Sequence, residues 1–353
     1  MRNILYGVCG IGLGHTYRQL PMLEHFAKDN LVIFGYGRSS EFYSKHFDNV
    51  SVEDVAGPFI AGNKRGLDFG ASMQHPANAG KNFTATNLHA MAAALEKLGK
   101  PDLVVSDYEP ISAQAAYATG APLVTIDQQS KYLMGSFPEE LSGQGYLDEK
   151  MRLRMFFPKA DKRIACSFFD VKGEGDVTIV GPVIREGVYN MKKDKRSLLA
   201  YISSQQESTQ SYQSIIDALL VDMPVDVYLK DHFEGRIPDN VTLHKHGDGN
   251  FDSALESAAG IITTAGHTLL SEAMFLGTPV YAVALPVYEQ QMNAKVIGDN
   301  GFGVFEASIT HERVVEFIDR IPEYADNIED DKDVLLREPS QQKIIDSLEE
   351  FLR

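Results

Sequence analysis

With 353 residues, 44% of them hydrophobic and 23% charged, the chain has the composition of a globular protein long enough for two α/β cores, which excludes a disordered or fibrous protein. Its two cysteines, Cys9 and Cys166, stand outside any CxxC pair or Cys/His cluster, which excludes a structural zinc site and points to a reducing compartment. The net charge of −16 is unevenly spread: residues 1–185 hold 19 Lys and Arg against 20 Asp and Glu, residues 186–353 hold 14 against 29, and such a surface argues against nucleic acid as a partner.

The apolar run after Met1 ends by Gly10, too short for a signal-peptide core, and no stretch approaches the roughly 18 apolar residues of a spanning helix. A cytoplasmic chain is expected. Short β-rich runs then alternate with helical periodicity. Residues 3–8, 31–34, 103–105, 123–126 and 164–165 read as buried parallel strands, with helices near 16–27, 87–98 and 111–118. This is a Rossmann-like half, and in such sheets ligands gather at the carboxyl ends of the strands.

Gly10-Ile11-Gly12-Leu13-Gly14-His15 follows the first strand and opens the first helix. Glycines such as Gly12 and Gly14 let the backbone approach a ligand, and the helix start offers unpaired N–H groups. A dinucleotide fingerprint would need a third glycine where His15 stands and an acidic residue closing the next strand, which instead ends Phe34-Gly35-Tyr36-Gly37. A helix N-terminus disfavours imidazolium, so His15 is expected to be neutral, as a general base must be; a simple helix cap is the alternative. Asp107, at the end of Leu103-Val104-Val105-Ser106-Asp107, would orient that imidazole, or else cap the helix after Pro110. Glu109 and Asp127 compete for the same role.

Between residues 57 and 80 a Gly-rich stretch without a clear element reads as a mobile loop and candidate acceptor lid. Residues 150–163 form the one basic and aromatic run, either a solvated helix face beside a core Phe pair or a peripheral contact with anionic membrane. Gly181-Pro182 and the polar run 192–196 mark a hinge. The pattern begins again beyond it, with strands at 198–202, 225–229, 241–243, 261–263 and 280–283 and helices near 211–220, 252–258, 269–275 and 290–297. A second Rossmann-like half is implied.

Ile261-Ile262-Thr263-Thr264-Ala265-Gly266-His267-Thr268 carries an apolar strand straight into a helix. A diphosphate could rest on the exposed N–H groups and the positive end of the helix dipole. Glu272 lies about one and a half turns further on, within reach of vicinal hydroxyls such as those of a ribose. Thr264 and Thr268 as caps, with Glu272 on a solvated face, is the plainer reading.

The next segment, Pro286-Val287-Tyr288-Glu289-Gln290-Gln291-Met292-Asn293-Ala294, makes the pattern specific. Residues 263–294 resemble the donor-binding signature of inverting GT-B glycosyltransferases, including the UDP-glucuronosyl and plant secondary-metabolite enzymes and the N-acetylglucosaminyltransferase of peptidoglycan synthesis. The resemblance implies an α/β protein of GT-B architecture, two Rossmann-like domains facing each other across a cleft. It gives an acceptor-binding domain over 1–182, a nucleotide-sugar domain over 183–338, and a C-terminal helix (339–353) that packs back on the first domain. By the same resemblance Thr264, Gly266, His267 and Thr268 hold phosphate, Glu272 the ribose, Glu289 and Gln290 the sugar, and Asn293 is the family's helical asparagine. Gly14-His15 and Asp107 match the acceptor base and its partner; Ser203 and Ser204 match a phosphate-contacting turn that here lacks its paired glycines; the uracil-contacting strand end falls at 244–246, with His246 as candidate.

Thr264 and Ala265 stand where the plant signature has His and Cys, and the chain has no tryptophan, so it is not plant-type in detail. Retaining relatives place two glutamates eight positions apart around this helix; eight before Glu272 is Thr264, which favours inversion. No strand-end DxD is present, so neither metal nor other cofactor is expected. The expected activity is hexosyl transfer from a UDP-linked donor to the hydroxyl of a glycan, a lipid-linked or a small-molecule acceptor. Closure of a hinge at 181–190 would exclude water. Alternatives are a non-hydrolysing UDP-sugar 2-epimerase, which shares the architecture, and a non-enzymatic nucleotide-sugar-binding protein.

Overall fold

The apolar runs form strands, and a glycine or a side-chain cap opens several of the helices that follow them. The structure, a computed structural model, describes all residues except 58–60, 64–65, 69–73, 75–81, 136, 142–143, 193–194 and 206. The first half contains β1 (Asn3–Val8), β2 (Asn30–Gly35), β3 (Ser51–Asp54), the short antiparallel pair β4 (Ala61–Asn63) and β5 (Gly66–Asp68), β6 (Leu103–Asp107), β7 (Leu123–Asp127), a second short pair β8 (Glu140–Leu141) and β9 (Gln144–Gly145), β10 (Lys162–Cys166) and β11 (Thr178–Val180). Seven of these pair in parallel in the order β11-β10-β7-β6-β1-β2-β3. The helices between them are α1 (Leu13–Phe26), α2 (Arg38–His46), α3 (Phe83–Leu98), α4 (Pro110–Thr119) and α5 (Tyr146–Phe156).

After the short α6 (Glu186–Tyr189) the second half repeats the plan with β12 (Ser197–Ile202), α7 (Tyr212–Ala218), β13 (Val225–Leu229), β14 (Val241–Lys245), α8 (Phe251–Ser257), β15 (Ala258–Thr263), α9 (His267–Leu276), β16 (Val280–Ala282), α10 (Tyr288–Asp299) and β17 (Gly303–Phe305), then α11 (His311–Asp319), α12 (Ile321–Asp330) and α13 (Gln341–Phe351). Its sheet, ordered β14-β13-β12-β15-β16-β17, is also wholly parallel. Both sheets reverse their strand order beside a central strand, β1 in one and β12 in the other, and each reversal opens a crevice at the carboxyl ends.

Burial explains the central strands: β6 and β7 have every residue buried, as parallel strands covered on both faces require. Val183 belongs to the first core and Ile184 to the second, which also takes in Met134, Phe168, Phe169 and Val171 from the first half. The expected hinge at 181–190 spans this crossing. Residues beyond it are already tied to the second half, with Lys192 N–H donating to Glu256 and Arg196 N–H to Ser257 O. The returning strand of chain runs alongside: Ser340 Oγ donates to Gly181 O at 2.5 Å, and a Cβ on Gly181 would lie 2.0 Å from Glu338 O.

Helix α13 buries Ile344, Ile345 and Leu348 in the first core, with Glu349 accepting from Arg2 and His25 at 2.5 and 2.8 Å. The Gly-rich stretch of 57–80 falls largely outside the described residues; the hairpin β4–β5 is what is described within it.

Candidate active site at the facing helix N-termini

Gly12 begins α1 with φ of 77°, a left-handed value that favours glycine, and no side chain caps the helix. The first turn therefore carries Leu13, Gly14 and His15 with open N–H groups. Three side chains at i, i+3 and i+4 on this helix converge on one carboxylate. His15 Nδ1 lies 2.9 Å from Asp107 Oδ1, Arg18 Nη2 donates to both Asp107 oxygens at 2.8 and 2.9 Å, and Gln19 Nε2 donates to Oδ2 at 2.8 Å. Arg18 Nη2 also lies 2.7 Å from His15 Nδ1, so that nitrogen is fully engaged and Nε2 is the one left for a substrate.

Asp107 is wholly buried; burial alone would raise its pKa, but the Arg18 guanidinium and His15 hold it below its ordinary value. Burial would likewise lower His15, yet the Asp107 charge overrides it and raises the imidazole to about 10. The expectation that the helix terminus keeps His15 neutral is thus corrected: a carboxylate in contact outweighs a partial charge spread over a helix end.

Glu109 and Asp127 do not reach His15. Glu109 caps α4, accepting from the N–H groups of Ile111 and Ser112 at 2.8 and 2.7 Å, and burial raises it to about 6. Asp127 accepts from Ser130 N–H and Oγ at 2.5 and 2.8 Å. Tyr108, between Asp107 and Glu109, has a left-handed φ of 52° and places its ring near that of His15, with centroids 6.4 Å apart. A non-glycine residue held there costs on the order of 1 kcal/mol or more, a strain that collects at functional sites.

Across the cleft α9 also starts without a side-chain cap. The left-handed residue in its turn is Ala265, with φ of 63°, rather than Gly266. Asn293, fully buried on α10, fixes that turn by donating Nδ2–H to Ala265 O at 3.1 Å. Gly266 instead faces open space, since a Cβ there would meet nothing within 4 Å. The two helix starts adjoin: a Cβ on Gly14 would lie 2.8 Å from Thr268 Oγ1.

Ser203 Oγ and Thr264 Oγ1 are 2.8 Å apart, which brings the turn after β12 to the same place. Ser204 Oγ donates to Asp231 Oδ2 at 2.7 Å and braces that turn. His267 is buried with Nε2 unpartnered, and burial, then Lys131 and Arg18, press its pKa well down. His246, at the end of β14, stacks on Tyr201 at 4.0 Å between centroids, and burial lowers it to about 4.

Glu272 is not on a solvated face; it is 2% exposed, and both its oxygens accept from Arg185, at 2.6 and 2.9 Å. Burial raises its pKa against the pull of that guanidinium. Arg185 also donates to Asp252 at 2.6 Å and lies over the rings of Tyr17 and Phe251, each 5.7 Å away. Any ribose at Glu272 must share it with Arg185, a partner that sequence reading missed. Glu289 and Gln290 occupy the first turn of α10; Gln290 Oε1 accepts from Leu285 N–H at 3.1 Å. Tyr288 is seated in the first half, donating to Pro138 O at 2.5 Å and lying 5.6 Å from the Tyr132 ring.

Within 150–163, Arg152 pairs with Glu149, Arg163 donates to Phe157 O at 2.6 Å and Lys162 to Ser347 at 2.5 Å, while Leu147, Met151 and Met155 are exposed at helical spacing on α5. Among the described residues no group of three or more His, Cys, Asp or Glu could hold a metal, and no helix is long and apolar enough to cross a membrane.

The sequence profile described as glycosyl transferase family 1 matches residues 2–322. An uncharacterised glycosyltransferase of Methanosarcina acetivorans is 23% identical over 351 residues, covering 91% of this chain and 90% of the relative. One from Methanopyrus kandleri is 26% identical over 241 residues, covering 62% and 67%. Among solved structures, spinosyn forosaminyltransferase SpnP superposes with a TM-score of 0.66 at 17% identity, over 99% of both chains. Phytolacca americana UGT2 complexed with UDP-2-fluoro-glucose and pterostilbene gives 0.66 at 11% identity, and Acinetobacter baumannii MurG 0.59 at 14%, each over 99% of both chains. These likenesses are of fold, and the fold is GT-B. Sugar transfer thereby displaces the epimerase and sensor readings: the chain belongs to glycosyl transferase family 1 and is a glycosyltransferase.

Proposed function

We propose that the enzyme moves a hexose from a nucleoside-diphosphate sugar, UDP-linked, to an acceptor hydroxyl with inversion at the anomeric carbon. The observation that carries this reading is the opposition of two uncapped helix starts, one holding His15 on Asp107 and the other presenting Thr264, Gly266, His267 and Thr268. His15 Nε2 takes the acceptor proton as the hydroxyl oxygen bonds to the anomeric carbon, and Asp107 stabilises the imidazolium formed. The bond to the diphosphate breaks with its electron pair on the leaving oxygen, whose charge meets the N–H groups of α9. Glu272 takes the ribose beside Arg185, Glu289 and Gln290 the sugar hydroxyls, Ser203 and Ser204 the phosphate turn, and the strand end at His246 the base.

The UDP link is supported by the UDP-sugar bound in one fold neighbour. Transfer proceeds in the cytoplasm without a metal, so a chelator leaves turnover unchanged. A thermal-shift panel of UDP-, dTDP- and GDP-sugars tests the donor. UDP-sugars should stabilise the fold most, by about 2.7 kcal/mol at a hundredfold excess over Kd. Stabilisation by none of the three classes contradicts the reading.

A further inference from the structure

Lys131 is a wholly buried lysine that the scheme above does not use. It stands in the 3₁₀ turn Ser130–Leu133, just past the carboxyl end of β7. Its ammonium donates to Gln128 Oε1 at 2.8 Å and lies 5.3 and 4.9 Å from the ring centroids of Tyr132 and Phe169. Among the described residues it forms no ion pair. A buried ammonium without a carboxylate partner is costly, and burial lowers this one to about 8. Such a group is retained where something offsets the cost.

Two aromatic chains of contact fix its place. Tyr132 touches Tyr288, the residue before Glu289, with ring centroids 5.6 Å apart. Phe169 touches Phe168 at 5.0 Å, and Phe168 touches His267 at 5.6 Å. The ammonium therefore sits on the first-half side, near enough for its charge to act on both Glu289 of α10 and His267 of α9. On the other side His267, 6% exposed, carries the unpartnered Nε2. Lys131, without a carboxylate, and His267, with Nε2 unpartnered, are thus two buried polar groups on the two sides of the domain boundary.

We propose that Lys131 is a cation subsite for the terminal phosphate of the departing nucleoside diphosphate, with His267 Nε2 as its counterpart on α9. This rests on the donor reading above. As the glycosidic bond breaks, charge accumulates on the terminal phosphate, and a cation already stripped of water meets it without reorganisation. The phosphate then supplies the negative partner of the ammonium.

The test compares Lys131→Met with wild type by calorimetric binding of UDP and UMP and by melting of the ligand-free protein. The subsite predicts that K131M melts higher than wild type, because an unmatched buried charge is gone, yet binds UDP about tenfold or more weakly, one charge-assisted contact being worth at least that. UMP, which lacks the terminal phosphate, should lose less than about threefold. Lys131→Arg should keep UDP binding within about threefold of wild type. Equal losses for UDP and UMP, unchanged UDP binding, or a K131M that melts lower or fails to fold would each overturn the subsite. Wild-type protein that binds no UDP, dTDP or GDP defeats the donor reading itself, whereas wild-type binding with K131M unchanged defeats the subsite alone.

Discussion

Asp107 is met by three side chains of one helix, and this crowding governs how His15 works. With its pKa raised to about 10, His15 is largely imidazolium at neutral pH and cannot accept a proton. Turnover should therefore climb with pH from 7 toward 10 as the neutral base appears, about tenfold per unit while chemistry is limiting. Asp107→Asn removes the charge that raises it, so the rising limb moves to lower pH while the maximal rate falls. A limb near pH 6.5 that D107N leaves in place would contradict this account of the pair. His15→Ala should cut kcat by about a hundred to ten thousandfold and leave UDP affinity unchanged in calorimetry; wild-type turnover in that variant would remove His15 from the chemistry. His15 and Asp107 were legible because a helix start and a strand end can be read from apolar periodicity. Arg18, Lys131 and Arg185 were not, since a charged residue in a sequence reads as surface until the fold shows what it is buried against.

Helix α9 illustrates how an element serves both fold and site. Glu272→Ala leaves Arg185 with Asp252 alone and should cost about 3 kcal/mol, near the low end for breaking a buried pair because Arg185 is itself 21% exposed. Thr268→Ala, without such a partner to orphan, should melt within about 0.5 kcal/mol of wild type, so denaturant titration of the two variants separates structural from ligand contributions. On α5 the exposed Leu147, Met151 and Met155, flanked by Lys150 and Arg154, form an apolar face at i, i+4 and i+8. Co-sedimentation with anionic vesicles is expected, and Met151→Asp with Met155→Asp should abolish it; equal recovery in the supernatant with and without vesicles would leave α5 a solvated face. Central strands and the helices after glycines were legible because both faces of a parallel strand are apolar. Helix α2, rich in serine and charge, and the edge strand β3, Ser51-Val52-Glu53-Asp54, were missed because an element with one wet side loses that signal.

At the scale of the molecule, contacts between the two halves include the crossing at Val183–Ile184 with its returning partner at 338–340, Phe168 against His267, the Tyr288 side chain set among residues of the first half, and the facing starts of α1 and α9. Helix α13 completes the first half from the far end of the chain. The sequence resemblance carried the architecture this far because the donor motif is dense and local, whereas contacts such as Tyr288 on Pro138 join residues 150 positions apart. Single displacement at the anomeric carbon by an acceptor oxygen deprotonated at His15, with the diphosphate leaving toward α9, fixes the stereochemistry of the product. Proton NMR of the freshly formed sugar product, from an α-linked UDP-hexose and either an acceptor or water, tests it most directly. Inversion gives a β-anomeric product at first appearance; an α-anomeric product rules out single displacement.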